Sequence, residues 1–72
     1  MATTLLPDLE SRAREALSSS PIHALRALRV RLDGERLRIS GRVESFYYKQ
    51  LAQEAVRAVS AGHPVENAVK VE

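Results

Sequence analysis

The sequence predicts an α+β fold: a two-layer sandwich in which two helices cover one face of a three-stranded sheet, in the order α-β-β-α-β. Two segments repeat apolar residues with a helical period, and three segments alternate apolar and polar residues as strands do. A two-layer arrangement buries the apolar side of every element at once. The 72 residues, 44% of them hydrophobic, suit one domain with a core from about residue 9 to residue 71.

The first predicted helix spans residues 8–18. Its apolar stripe consists of Leu9, Ala13, Ala16 and Leu17. The serines at 18–20 and Pro21 end the pattern, because serine competes for backbone hydrogen bonds and proline cannot continue a helix. We expect an irregular connector from there to about Leu25.

Residues 28–43 predict a β-hairpin. The apolar positions of the alternation are Leu28, Val30, Leu32, Leu37, Ile39 and Val43. Between the two runs, Asp33-Gly34 predicts a type I′ turn, since both residue types tolerate positive φ values, and this makes Gly34 a structural residue. Gly41 occupies an inward position of the second strand, which predicts that another element, such as a helix, approaches it closely.

A second helix and a third strand complete the prediction. Ser45 is a good N-cap for a helix from Phe46 to about Ala61, which Gly62 would end. The apolar stripe of this helix consists of Tyr48, Ala52, Ala55 and Val59, widened by Leu51 and Val56. Residues 65–71 alternate again, with Asn67 among the inward positions, and predict the third strand.

Several of these segments together resemble a known family. They are residues 28–34 (LRVRLDG), 37–45 (LRISGRVES) and 65–71 (VENAVKV), with Lys49 and Ala52 on the second helix. In this order and spacing they resemble the BON domain, a small bacterial module named from osmotically inducible and nodulation proteins, over residues 9–71. The sequence departs from the family pattern at residues 46–48 (FYY) and 61–64 (AGHP).

The resemblance implies a non-catalytic α/β sandwich that binds phospholipid surfaces or partner proteins in envelope and stress-related settings. It carries over no set of functional side chains. Ser45 matches the family's helix-capping serine, and Gly41 and Asn67 match positions that look architectural.

Positive charge is concentrated on the predicted hairpin. Residues 26–42 hold six arginines against two acidic residues, a local net charge of +4, while the rest of the chain holds five basic and seven acidic residues, a net charge of −2. Strand alternation places one set on the uncovered sheet face: Arg29, Arg31, Arg36, Arg38 and Arg42, with Lys70 from the third strand. Guanidinium groups bind phosphate in a bidentate manner, so this face suits anionic lipid headgroups, nucleic-acid phosphates or an acidic partner.

The alternative is a solvated face whose arginines pair with Glu66 and Glu72 and which protects the sheet from edge pairing. Sequence-specific RNA recognition is disfavoured, because the outward strand positions carry no aromatic side chain for base stacking. A small non-specific nucleic-acid binder is a further alternative, less favoured because the net charge of the chain is only +2.

The three aromatic residues are adjacent at 46–48. A helical wheel turns Tyr48 to the core, Tyr47 to one side and Phe46 outward. An exposed Phe and Tyr near Lys49 suit an apolar contact with a membrane or a protein. Alternatively, Phe46 packs under Leu5-Leu6 or against the connector near Ile22.

Catalysis is not indicated. The chain has no cysteine, and its two histidines, His23 and His63, lie in predicted loops without ligand spacing, so we expect no metal, cofactor or small-molecule substrate. There is no run of about 20 apolar residues and no leader-like start, which leaves the compartment open. We therefore expect a binding module for an anionic phospholipid surface or a protein partner, with a structural or oligomerising module as the alternative.

Overall fold

The computed structural model describes residues 8–72 and has the expected α+β fold. Its helices are α1 (Leu9–Ser18), α2 (His23–Arg26) and α3 (Phe46–Arg57). Its strands are β1 (Arg29–Asp33), β2 (Arg36–Ser40), β3 (Arg42–Val43), β4 (Val65–Asn67) and β5 (Lys70–Val71). The central strand β2 is antiparallel to β1 and parallel to β4, and beyond them β3 pairs in parallel with β5. α1 and α3 pack on the apolar side of these strands.

Polar side chains cap both long helices. The Asp8 carboxylate accepts a hydrogen bond from the Ser11 N–H at 2.7 Å, and this bond lowers the pKa of Asp8 from its ordinary value. The Ser45 hydroxyl accepts from the Tyr48 N–H at 3.3 Å, which confirms Ser45 as an N-cap. α1 ends in the serine run as expected, where the Ser19 hydroxyl donates to the Glu15 carbonyl at 2.6 Å.

The core lies between the helices and the sheet. Its largest fully buried side chains are Leu17, Leu25, Leu37, Ile39, Val56 and Val69. They come from both layers, and full burial of each such side chain stabilises the fold by roughly 1.5–3 kcal/mol. The alternation therefore turns the polar side chains of the strands to the opposite, solvent-exposed face.

The hairpin turn differs from the predicted type I′ turn. Asp33 is paired with Arg36, so the two turn residues are Gly34 and Glu35. Of these two, only Gly34 has a positive φ, of 65°. A type I′ turn needs positive φ at both residues, whereas a type II′ turn needs a glycine at the first, and the second pattern is the one observed.

Gly41 meets a connector residue and not the expected helix. A Cβ atom on Gly41 would lie 2.6 Å from Cδ2 of Leu28, and the φ of Gly41 is 129°. This conformation separates β2 from β3, so the strand predicted as continuous over residues 37–43 is interrupted. The predicted strand 65–71 is likewise interrupted at 68–69, although Ile39 pairs with Asn67 and Arg42 with Lys70 in one unchanged register.

Other element boundaries were also predicted incorrectly. The connector contains α2, which is too short to show a helical period. α3 ends at Arg57 and not near Ala61, because tighter turns follow it and Ala61 adopts a φ of 54°. The first strand begins at Arg29, and Leu32 at its far end is 39% exposed although the alternation predicted it to face the core.

Candidate functional site

The uncovered sheet face carries all the basic residues that the sequence places there. We call it the basic face, and its cations are Arg29, Arg31, Arg36, Arg38, Arg42 and Lys70. All of these residues are exposed. The helices cover the opposite side of the same strands, so nothing between residues 8 and 72 shields the basic face from a ligand.

Half of these cations form ion pairs. Glu66 lies 3.2 Å from Nη1 of Arg36 and 4.0 Å from Nε of Arg38, and Glu72 lies 3.4 Å from Nε of Arg42. The pairing expected in the alternative interpretation is therefore present. These pairs are exposed, however, and such pairs contribute only about 0–1 kcal/mol to stability.

The other half are unpaired within the described chain. Arg29, Arg31 and Lys70 form no ion pair with an acidic side chain of residues 8–72. With Asp33, Glu66 and Glu72 as its acidic members, the face keeps an excess of positive charge. Arg31 also lies directly opposite Arg38 on the neighbouring strand, an arrangement of like charges that costs stability.

Two of the three aromatic residues are exposed. Phe46 is 74% and Tyr47 is 68% exposed, whereas Tyr48 packs against the core. Ile22 also packs against the core, and Leu5-Leu6, the other contact considered for Phe46, lies outside the described residues.

Phe46 lines a groove of about 480 Å³ at the open edge of β5. Lys49 and residues 68–72 form the rest of its lining, and they include Lys70 of the basic face. The exposed aromatic end of α3 thus lies beside Lys70 of the basic face.

A second groove, of about 510 Å³, lies at the opposite edge of the sheet. We call it the β1 groove, and its lining consists of Arg14, Leu28, Arg29, Val30, Arg31 and Ser40. Arg14 belongs to α1 and was not among the predicted site residues. The helical period shows only that Arg14 lies outside the apolar stripe of α1. Nothing in the sequence indicates that α1 packs beside β1.

Polar side chains accept hydrogen bonds from backbone N–H groups along both sheet edges. On the β1 edge, the Glu10 carboxylate accepts from the Leu32 N–H at 3.2 Å. On the β5 edge, the Asn67 side-chain oxygen accepts from the Val69 N–H at 3.2 Å. An added strand would need these N–H groups, so both contacts oppose edge-to-edge pairing.

The side chain of Asn67 also joins this edge to α3. Its nitrogen donates to the Lys49 carbonyl at 2.9 Å and to Oε1 of Gln53 at 3.3 Å. Asn67 thereby holds the β4–β5 break against the helix that carries Phe46.

A metal-binding cluster is absent from residues 8–72. Nδ1 of His63 lies 2.9 Å from the Ser60 carbonyl, which is a local turn contact. No three histidine or acidic side chains converge to hold a metal ion in this part of the chain, and none of its helices is long and apolar enough to cross a bilayer. No protein-family model matches the sequence, and no curated protein matches it either.

Proposed function

We propose that this chain is a non-catalytic binding module that associates with anionic phospholipid surfaces through the basic face. The observation that carries the proposal is the groove shared by Phe46 and Lys70, because it sets an exposed aromatic side chain at the border of a positively charged, uncovered sheet. Interfacial docking combines these two components, an electrostatic attraction and an apolar contact. The resemblance to the BON family predicts the same class of function.

The dimensions of the sheet suit a flat contact. Neighbouring strands lie about 4.8 Å apart, so the two edges of a three-stranded sheet are separated by about 10 Å. The β1 groove lies at the β1 edge of this sheet, whereas the groove lined by Phe46 lies at β5, which pairs with β3. Phe46 and Lys70 line one groove, so an aromatic and a cationic side chain can contact the same surface there.

The oligomerising alternative receives less support. Five arginines on one face oppose stacking of two copies through that face, and Glu10 and Asn67 occupy N–H groups that strand addition would use. Nucleic-acid binding is also less favoured, since Phe46 and Tyr47 lie on α3 and not among the outward strand positions.

Co-sedimentation with vesicles tests the proposal. We expect the chain to bind vesicles of phosphatidylglycerol diluted in phosphatidylcholine, not to bind pure phosphatidylcholine vesicles, and to dissociate as salt is raised above about 0.1 M, where the Debye length falls below about 10 Å. Phe46→Ala, which removes the more exposed of the two aromatic side chains, should weaken binding without changing the melting temperature. Failure to bind at low salt, or binding unaffected by salt, would contradict the proposal and turn attention to a protein partner.

A further inference from the structure

The β1 groove contains a backbone donor that the fold does not use. N–H groups alternate in direction along a strand, and the N–H groups of Leu28 and Leu32 point away from β2, to the Leu25 carbonyl and to Glu10. The N–H of Val30, midway between them, points to the same edge. None of the turn, loop and side-chain hydrogen bonds of residues 8–72 involves this N–H.

The pairing of the central strand supports this direction. Val30 is the register partner of Ile39, whose carbonyl accepts from the Ala68 N–H on the other side of β2. In an antiparallel ladder, partners that both turn their backbone groups outward form a pair without hydrogen bonds between them. The open N–H of Val30 is therefore a consequence of the register.

Cationic residues line the same groove as Val30. Arg29 and Arg31 extend from the flanking positions without an acidic partner in the described chain, and Arg14 reaches the groove from α1. Ser40, which pairs with Arg29 from the neighbouring strand β2, also lines the groove. Its hydroxyl adds a neutral donor. Three guanidinium groups, a hydroxyl and a backbone N–H are the donors that a phosphate group with several acceptor oxygens requires.

We infer that the β1 groove holds the phosphate of an anionic phospholipid headgroup. This inference rests on the proposed function and locates a specific headgroup contact within the general attraction of the basic face. A volume of about 510 Å³ exceeds the needs of a bare phosphate and leaves room for its organic substituents. Glu10 is the competing acceptor, because its carboxylate lies 2.7 Å from Nη2 of Arg14 in the structure.

A matched pair of variants on α1 separates this site from the effect of net charge. Arg14 lines the β1 groove, whereas Arg12, two residues away, lines a different depression with Ala16 and Val59. We expect Arg14→Ala to weaken vesicle binding about fivefold, the effect of one basic residue near an anionic surface, and Arg12→Ala to change it less than twofold. Glu10→Gln keeps an acceptor for the Leu32 N–H while releasing Arg14, and should strengthen binding. Melting curves show whether each variant is folded.

An amide NMR titration of the wild-type chain completes the test. Micelles of a short-chain phosphatidylglycerol should shift the Val30 amide proton downfield as it gains an acceptor. If the wild type binds vesicles but Arg14→Ala equals Arg12→Ala, or the Val30 amide does not respond, the headgroup site is wrong and the proposed function stands. If glycerol phosphate saturates the groove while vesicles do not bind, the lipid assignment is wrong. If the wild type binds neither, both proposals fail.

Discussion

Arg31 and Arg38 lie directly opposite each other on the paired strands β1 and β2. Like charges in this position destabilise a sheet by a few tenths of a kcal/mol up to about 1 kcal/mol, and Glu66, at 4.0 Å from Arg38, offsets the cost only in part. A neutral β-forming residue in either place would suit folding better. The pair therefore agrees with a face whose charge serves binding, and it leads to the first prediction.

Arg31→Thr should raise stability and weaken binding. Removing the like-charge contact and adding a β-branched residue should increase the free energy of unfolding by about 0.5 kcal/mol. Losing one cation of the basic face should reduce partition onto phosphatidylglycerol vesicles about fivefold. Urea unfolding and co-sedimentation measure the two effects. Arg57→Ala, which removes a charge from α3, is the control and should leave binding nearly unchanged.

Glu66→Gln should strengthen binding to anionic vesicles. Glu66 is the acidic partner of both Arg36 and Arg38, so its neutralisation frees two guanidinium groups on the basic face. We expect partition to rise about fivefold and stability to fall by less than about 1 kcal/mol, since both pairs are exposed. Glu15→Gln on α1 makes the same change in net charge away from the face. Equal effects of the two substitutions would show that net charge alone matters.

Asn67→Ala should both destabilise the fold and open the β5 edge. The variant loses the hydrogen bonds to Lys49 and Gln53, and we expect a cost of about 1–2 kcal/mol in the free energy of unfolding. It also frees the Val69 N–H for another strand, so sedimentation at two concentrations should show more self-association than for the wild type. Gln53→Ala keeps the hydrogen bond from the Val69 N–H to Asn67. Its self-association, measured by sedimentation, should therefore equal that of the wild type. Unchanged self-association of Asn67→Ala would contradict the role assigned to Asn67.

The N-cap of α1 should make part of the stability pH-dependent. The hydrogen bond from the Ser11 N–H lowers the pKa of Asp8 below its ordinary value of 3.8, so its stabilising effect is complete above that pH and is lost as the pH falls through the folded-state pKa. Asp8→Asn retains a capping oxygen but does not titrate. As the pH falls, the unfolding free energy of the wild type should therefore decrease relative to that of Asp8→Asn. A difference that is constant with pH would exclude this contribution.

The parts of this fold that depend on local periodicity could be predicted from the sequence. Alternation placed the arginines of β1 and β2 on one exposed face, and the spacing of residues 46–48 predicted which aromatic faces the core. Features without a local period were missed. α2 has only four residues, and the turn at Gly34-Glu35 depends on a register one residue removed from the predicted one.

The details of the site depend on contacts between distant segments. Arg36 forms an ion pair with Glu66, which lies thirty residues away in the sequence. Arg14 lines the β1 groove only because α1 packs beside β1. Likewise, the groove shared by Phe46 and Lys70 requires α3 and β5 to lie side by side. No pattern within a single element indicates these encounters, so the sequence alone predicts the charged face but not which of its cations remain unpaired.

The most direct test of surface binding is an amide NMR titration of the labelled chain with anionic phospholipid micelles, at low salt and then at high salt. Our account predicts shifts that cluster on residues 29–42 and 46–49 and at Lys70, and that reverse as salt is raised. Shifts confined to residues outside 29–42, 46–49 and Lys70, or the absence of any shift at low salt, would contradict it.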